Sequence, residues 1–230
     1  MSGLITQVGA PFVSTATLNP ITITTQTGAQ DGDLIVVFST GYASDGEDGL
    51  TPPAGYSFAW PPVLNQSNSG EGDGLLSTWA AGFFLVGTPA ASYTLDINPN
   101  VYTESLTTVC LRNVNPFAPI GFGAGGPTGA NATSPNITWP ALTTSVADVF
   151  LLAWLFGDDT ALSATPAGYA TQVNGYFNGA FQALFSNLQA TAGSTGTLTA
   201  TYTTTDDWNT ILLPLMPATP NDVILFGSNF

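Results

Sequence analysis

Short runs of β-branched and aromatic residues, each bounded by Gly, Pro, Asn or Asp, follow one another in an order that repeats along the chain. The word TPPAGY at residues 51–56 returns as TPAGY at 165–169, and the runs around it return in the same series. Such runs are typical of strands and turns, and self-similarity indicates a duplicated unit. The sequence therefore predicts an all-β fold: an antiparallel, jelly-roll-like β-sandwich built from pseudo-repeats 19–115 and 136–216.

The repeated word itself has the chemistry of a turn. Proline presets φ, glycine accepts a positive φ, and the tyrosine that follows, Tyr56 or Tyr169, offers a large ring for packing at the start of the next strand. We expect the word to form a structural corner in each half. A contact with a ligand is the alternative interpretation.

A segment rich in Gly and Pro, residues 115–136, separates the two pseudo-repeats. It fits a surface crossover inside one domain over residues 1–217, and it also fits a linker between two tandem domains. We favour one domain, because packing the halves together hides apolar faces. Residues 218–230 are expected to form a C-terminal arm.

Two types of hydrophobic pattern distinguish the strands. The run ITITTQT at 21–27 alternates and predicts a half-buried strand with one wet face. The runs DLIVVF at 33–38 and VFLLAWLF at 149–156 are continuously apolar. They predict central strands that are buried on both faces, or strands whose outer face meets a partner.

The charge is strongly one-sided, because the chain has one Lys or Arg, 15 acidic residues and no His, for a net charge of −14. A basic patch that could neutralise phosphates cannot be built from this composition, which argues against nucleic acid and against anionic membrane surfaces as partners. No apolar run approaches the roughly 18–20 residues that span a bilayer. The sequence predicts neither nucleic-acid nor membrane binding.

The residue types that most enzymes use are missing. Without His or Lys the chain lacks the usual nucleophilic triad, an imidazole metal site, a Schiff base and a P-loop. Only a pair of carboxylates remains for acid–base chemistry. The single cysteine, Cys110, excludes an intramolecular disulfide and is expected to be a buried strand residue. We expect no enzymatic activity and no catalytic residue.

Two kinds of ligand site remain open as alternatives. Acidic pairs and triplets at 45–48, 71–73, 158–159 and 206–207 supply the oxygen ligands that calcium prefers, although none has the spacing of an EF-hand. No other cofactor is indicated. The aromatic residues Tyr42, Trp60 and Trp79 are candidates for ligand-facing loops that bind a sugar or a receptor. Exposed Trp60 and Trp79 rings would favour binding, whereas buried rings would favour a scaffold.

The last residues combine a Pro-rich spacer with an apolar run. We predict that this arm adds to a neighbouring subunit by strand addition, or that it folds back as a last edge strand on its own domain. Its candidate contact residues are Val223, Ile224, Leu225, Phe226 and Phe230.

The motifs DGDLIVV, TPPAGY, ASYTLDI and TTVCLRNVNP together resemble a β-sandwich module of tailed-bacteriophage virion proteins that also occurs in bacterial surface proteins. The resemblance covers most of residues 19–216, in both halves. Tyr56 and Tyr169 stand where the module more often has Trp. The resemblance implies a structural or adhesive role in a capsid or tail, and it carries no catalytic residues to this chain.

These observations predict a non-enzymatic virion structural protein of a bacteriophage. It would be a capsid decoration (cement) protein or a head or tail appendage that bridges neighbouring subunits. The expected partners are phage capsid or tail subunits and further copies of itself, and the expected location is the surface of the particle. The alternative is a carbohydrate- or host-receptor-binding module on a tail or cell surface.

Overall fold

The computed structural model describes residues 3–16, 20–43, 50–68, 75–97, 101–120, 127–157, 161–177 and 180–219. Every regular element in these ranges is a β-strand, and all strand pairs are antiparallel. The predicted all-β class is therefore confirmed. The part of the chain that is described contains no helix long and apolar enough to cross a membrane.

The described residues of the first half form eight strands. They are β1 (Thr6–Ala16), β2 (Ile21–Thr24), β3 (Leu34–Ala43), β4 (Leu50–Thr51), β5 (Val63–Asn68), β6 (Leu75–Phe84), β7 (Ser92–Ile97) and β8 (Val101–Arg112).

The second half forms ten strands within the ranges given above. They are β9 (Thr128–Thr133), β10 (Asn136–Trp139), β11 (Thr143–Thr144), β12 (Val149–Gly157), β13 (Leu162–Ala164), β14 (Ala170–Phe177), β15 (Ala180–Gln189), β16 (Gly193–Ser194), β17 (Leu198–Tyr202) and β18 (Asp207–Leu215).

Each half forms one five-stranded and one three-stranded sheet. The orders are β1-β8-β3-β6-β5 and β2-β7-β4 in the first half, and β9-β18-β12-β15-β14 and β10-β17-β13 in the second. Matched in chain order, with the short β11–β16 pair set aside, the strands of the two halves have the same order in both sheets.

Three apolar cores separate these sheets, which therefore lie in four layers. Ile23 and Val37 belong to the core between the two sheets of the first half. Val36 and Trp154 belong to the core between the two five-stranded sheets. Trp139 belongs to the core between the two sheets of the second half. Each five-stranded sheet is consequently covered on both faces, and packing of sheet against sheet recurs three times.

This layering explains the continuous apolar runs. Residues 34–38 of β3 and 151–155 of β12 are fully buried, because alternate side chains enter different cores. The expectation that these strands are buried on both faces is confirmed. Each half already has two layers of its own, and the two halves meet through the larger sheet of each rather than forming the two sheets of one sandwich.

An aromatic pair marks the contact between the halves. The rings of Phe38 and Trp154 stack with centroids 5.0 Å apart and an interplanar angle of 15°. Trp154 Nε1 also donates a hydrogen bond of 2.9 Å to Thr78 Oγ1 on β6. The indole is therefore held in place by packing and by a polar contact with the opposite half.

A buried glutamine makes the second polar contact between the halves. Gln182 on β15 accepts a hydrogen bond from Thr107 Oγ1 at 3.1 Å and donates one to Thr40 Oγ1 at 3.1 Å. It also donates to Ser105 Oγ. Because buried polar groups are costly when unpaired, these bonds favour a single register of one sheet on the other.

Both copies of the repeated word form the same turn. The amide of Tyr56 donates to Pro53 O at 3.0 Å, and the amide of Tyr169 donates to Pro166 O at 3.3 Å. The glycine of each word has a positive φ, 85° in the first and 79° in the second, as the third residue of a type II turn requires. Both prolines are buried and both tyrosines pack against a core. The expectation of a structural corner is confirmed.

Candidate functional site

The aromatic residues proposed to face a ligand are placed inside the protein. Trp60 is 4% exposed and Trp79 is 3% exposed. The Trp60 ring lies directly over Gly82 of β6, where a Cβ atom would overlap it. Trp60 belongs to the core between the two five-stranded sheets, and Trp79 is buried in β6. Neither ring presents a face to solvent, which corrects the idea of a ligand platform at these two positions. Tyr42 lies in β3, and its side chain is outside the described structure.

The proposed contact residues of the arm, Val223 to Phe226 and Phe230, lie outside the described residues. The chain just before them is well anchored. Ala218 N donates to Asn113 O at 2.8 Å, and Pro217 forms a β-bridge with Val114. The arm therefore departs from a fixed point, next to the segment that connects the two halves.

The one basic side chain of the sequence, Arg112, is partly exposed and forms an ion pair with a buried carboxylate, Asp33. Arg112 Nε donates to Asp33 Oδ1 at 2.9 Å, and Arg112 Nη2 donates to Asp33 Oδ2 at 2.8 Å and to Gly28 O at 3.0 Å. Asp33 is 1% exposed and also accepts from the amide of Gln30. The hydrogen bonds with Asp33 raise the pKa of Arg112. This pair clamps the end of β8 to the turn that precedes β3.

The sequence did not reveal this pair, because Asp33 and Arg112 are far apart along the chain. A signal was nevertheless present: a lone arginine in a chain of net charge −14 is expected to find a carboxylate, and bidentate geometry makes the pairing specific. With both partners occupied by each other and by backbone groups, the pair is suited to holding structure together.

Cys110 lies beside this ion pair and is fully buried, as predicted. Burial raises the pKa of the Cys110 thiol to about 12, and the charge of Asp33 acts in the same direction. The thiolate is the reactive form of cysteine. The thiol is thus protonated and shielded at neutral pH, which fits a packing role.

We expect Cys110 to react with a thiol reagent at neutral pH only as fast as the protein unfolds. The pKa of Cys110 in the folded protein lies above the ordinary value of 9.0. The protonated thiol therefore contributes fully to the stability of the protein below pH 9, and this contribution is lost as pH rises towards 12. Tyr169, whose pKa burial also raises to about 12, acts in the same direction. Labelling rates with and without urea, and urea denaturation at pH 8 and pH 11, measure both effects. Rapid labelling of the folded protein would contradict the burial.

The calcium hypothesis is only partly covered by the structure. The loops at 45–48, 71–73 and 158–159 lie outside the described residues. Asp207 is buried and accepts a hydrogen bond from Thr133 Oγ1, while Asp206 accepts one from the amide of Asp207. Within the described ranges no three acidic, Cys or His residues come together in a way that could hold a metal ion.

A small recess with about 10 Å³ of space, room for roughly one water molecule, lies beside β11, β12 and β18. Its apolar lining residues are Leu142, Val149, Pro214 and Met216, and residues 143–145 add hydroxyl groups. Sites for small molecules usually enclose about 300–1,000 Å³. This recess is too small for a ligand of ordinary size, so it gives no support to a sugar site.

An asparagine joins the two five-stranded sheets at one side of the molecule. Asn65 Nδ2 on β5 donates to Ala130 O at 2.9 Å and to Thr210 O at 3.0 Å. Asn131 Nδ2 on β9 in turn donates to Asn65 Oδ1 at 3.2 Å. The edge strands β5 and β9 are therefore bonded across the layers, a contact that the sequence did not indicate.

The fold and these sites define a layered, antiparallel all-β protein whose only ion pair in the described ranges joins two parts of its own scaffold. Comparisons with known proteins found no matching family model, no similar curated protein and no similar solved structure.

Proposed function

We propose that this chain is a non-enzymatic structural protein of a bacteriophage particle, a capsid decoration protein or a head or tail appendage that bridges neighbouring subunits. Its partners would be phage capsid or tail subunits and other copies of itself, and its location the surface of the virion. The proposal is supported by the motifs that resemble a virion β-sandwich module, and by a body with three apolar cores suited to a rigid block.

The burial of Trp60 and Trp79 is the observation that favours this role over that of a ligand-binding module. Stacking on a sugar or a receptor needs exposed ring faces, and both rings are buried. Arg112, which could bind an anionic group, is held by Asp33 in a bidentate pair. The side chains best suited to recognition are thus used for packing, which favours the scaffold.

The finer architecture is part of the same proposal: two pseudo-repeats, each a jelly-roll-like sandwich of a five-stranded and a three-stranded sheet. The identical strand order of the halves supports it. The contact between the halves is also reciprocal. β1 matches β9 and β5 matches β14, so the contact of β1 with β14 is equivalent to the contact of β9 with β5. Phe38 and Trp154, on the matched strands β3 and β12, stack at the contact. The halves would then meet as a fused dimer about a pseudo-two-fold axis.

The mechanism of assembly would use the arm. Val223 to Phe226 form an apolar run in a chain whose net charge is −14. Burial contributes roughly 25 cal/mol per Å² of apolar surface, so a few side chains placed on a neighbour would contribute several kcal/mol. Repeated over a lattice, contacts of this size bind strongly through avidity.

We expect the full chain to form larger particles in solution than a chain ending at Thr219. Truncation at this point keeps Ala218 and its hydrogen bond to Asn113, so the body remains anchored. A control of full length, with Val223 to Phe226 replaced by serine, should behave like the truncated chain. Light scattering after size-exclusion chromatography gives the masses. Equal masses for all three proteins, alone and with isolated capsids or tails, would overturn the proposed role of the arm.

A further inference from the structure

The two five-stranded sheets expose four long edge strands, two on each side of the molecule. β1 lies against β14 on one side, and β5 lies against β9 on the other. An unpaired edge is a template for another strand, and proteins usually blunt it with proline, bulges, charges or covering contacts. The four edges differ in how well they are blunted.

Three of the edges carry such protection. β1 is interrupted by a register shift between Val8 and Phe12, with Gly9 at a φ of 69° and Pro11 without an amide hydrogen. β5 and β9 are hydrogen-bonded to each other, because the side chain of Asn65 on β5 contacts Ala130 and Asn131 on β9. Strand addition at any of these edges would meet a bend or displace existing hydrogen bonds.

β14 is the unprotected edge among the described strands. It pairs with β15 on one side only, and it contains neither proline nor a charged residue. Its one register shift lies between Thr171 and Val173, which leaves a regular stretch from Val173 to Phe177. Asn174 is exposed on this stretch, and Tyr176 is 48% exposed while its ring rests edge-on against Phe181.

The distribution of charge along the sequence favours a second copy of the chain as the partner of β14. The chain carries a net charge of −14, so two copies repel each other over most of their surfaces. No charged residue occurs before Asp31, and none occurs between Asp159 and Asp206. The strands β1, β14 and β15 all lie in these two uncharged stretches. The two edge strands on this side, β1 and β14, therefore bring no carboxylate of their own to a second copy.

We propose that β14 pairs antiparallel with β14 of a second copy, centred near Asn174, so that two five-stranded sheets become one continuous sheet across a two-fold axis. Such an interface is self-complementary, as closed symmetric dimers require. Main-chain hydrogen bonds provide the attraction and the uncharged side chains permit it. This inference rests on the proposed assembly role, and it names the surface through which the copies meet.

The test uses the full chain with one carboxylate added to an edge strand. Asn174→Glu places two like charges opposite each other at the proposed axis and should raise the dimer dissociation constant at least about tenfold. Ala132→Glu adds the same charge to the exposed edge strand β9 on the other side and should leave the dimer unchanged. Sedimentation equilibrium measures the association of each protein, and circular dichroism melting establishes that each variant is folded.

Hydrogen exchange gives a second readout that does not depend on a variant. Amides of residues 173–177 should become more protected as the concentration of the natural chain rises, while those of β9 should not. A monomer at all concentrations, or equal weakening by both substitutions, would overturn the inference. The inference would also be overturned if concentration-dependent protection appeared in other strands and not in β14.

The same series separates this inference from the proposed role of the arm. If serine replacement of Val223 to Phe226 leaves the mass unchanged while Asn174→Glu dissociates the dimer, the edge contact stands and the arm proposal fails. If serine replacement lowers the mass and Asn174→Glu has no effect, the arm proposal stands and the edge contact is wrong.

Discussion

Replacing Trp154 with alanine should lower the free energy of unfolding by about 3–5 kcal/mol, the usual cost of removing a large aromatic side chain from a core. Trp154 is fully buried between the two five-stranded sheets and stacks on Phe38. Its removal leaves a cavity at the contact between the halves and takes away the donor to Thr78 Oγ1. Urea denaturation followed by circular dichroism measures the loss.

Two matched variants establish that the loss comes from this position. Trp154→Phe keeps an aromatic ring against Phe38 and removes the indole N–H, so its effect should be smaller than that of Trp154→Ala. Phe117→Ala removes a ring that is 66% exposed and should change stability little. If Trp154→Ala cost no more than Phe117→Ala, the two sheets would not share a tightly packed core.

Replacing Arg112 with alanine should cost a similar amount, about 3–5 kcal/mol, because it leaves Asp33 buried without its counter-charge. Asp33 is almost inaccessible to solvent and accepts two hydrogen bonds from the guanidinium. The Gly28 carbonyl also loses a donor. Thermal melting at neutral pH measures the change.

The comparison with Arg112→Lys tests the geometry of the pair. Lysine keeps the positive charge but cannot reproduce the bidentate contact, so its cost should fall between zero and that of alanine. Adding Asp33→Asn to Arg112→Ala removes the uncompensated charge and should restore part of the stability. If the double substitution were as unstable as the sum of the two single ones, the two side chains would not be coupled.

Local features were predictable from the sequence because they depend on neighbours along the chain. Each turn word places glycine at the third position of the turn, where a type II turn requires a positive φ, and both copies form that turn. The apolar run that begins β3 is long enough to be buried and too short for a membrane span, and it lies in a covered sheet. The burial of Cys110 followed from the usual burial preference of cysteine.

Contacts between distant segments were not predictable in the same way. Trp60 and Trp79 were candidates for a binding face because hydrophobic patterning cannot distinguish a tryptophan over a core from one over solvent. Trp60 is buried because Gly82, which has no side chain, leaves room for its ring. Asn65, which the sequence shows as one polar residue among several, crosses to Thr210 in the opposite sheet.

The sequence by itself determined the class of fold, the repeated series of strands, the corners and the absence of His and Lys chemistry, because each depends on residue type and local order. Only the tertiary structure decided that the strands form four layers, that Asp33 meets Arg112, and that β14 is the unprotected edge among the described strands. These outcomes depend on which sheet faces cover one another. The hydrophobic free energy is nearly the same for any pairing of apolar sheet faces, because it has no direction. The shapes of the faces and a few buried hydrogen bonds, such as those of Gln182, therefore select one arrangement.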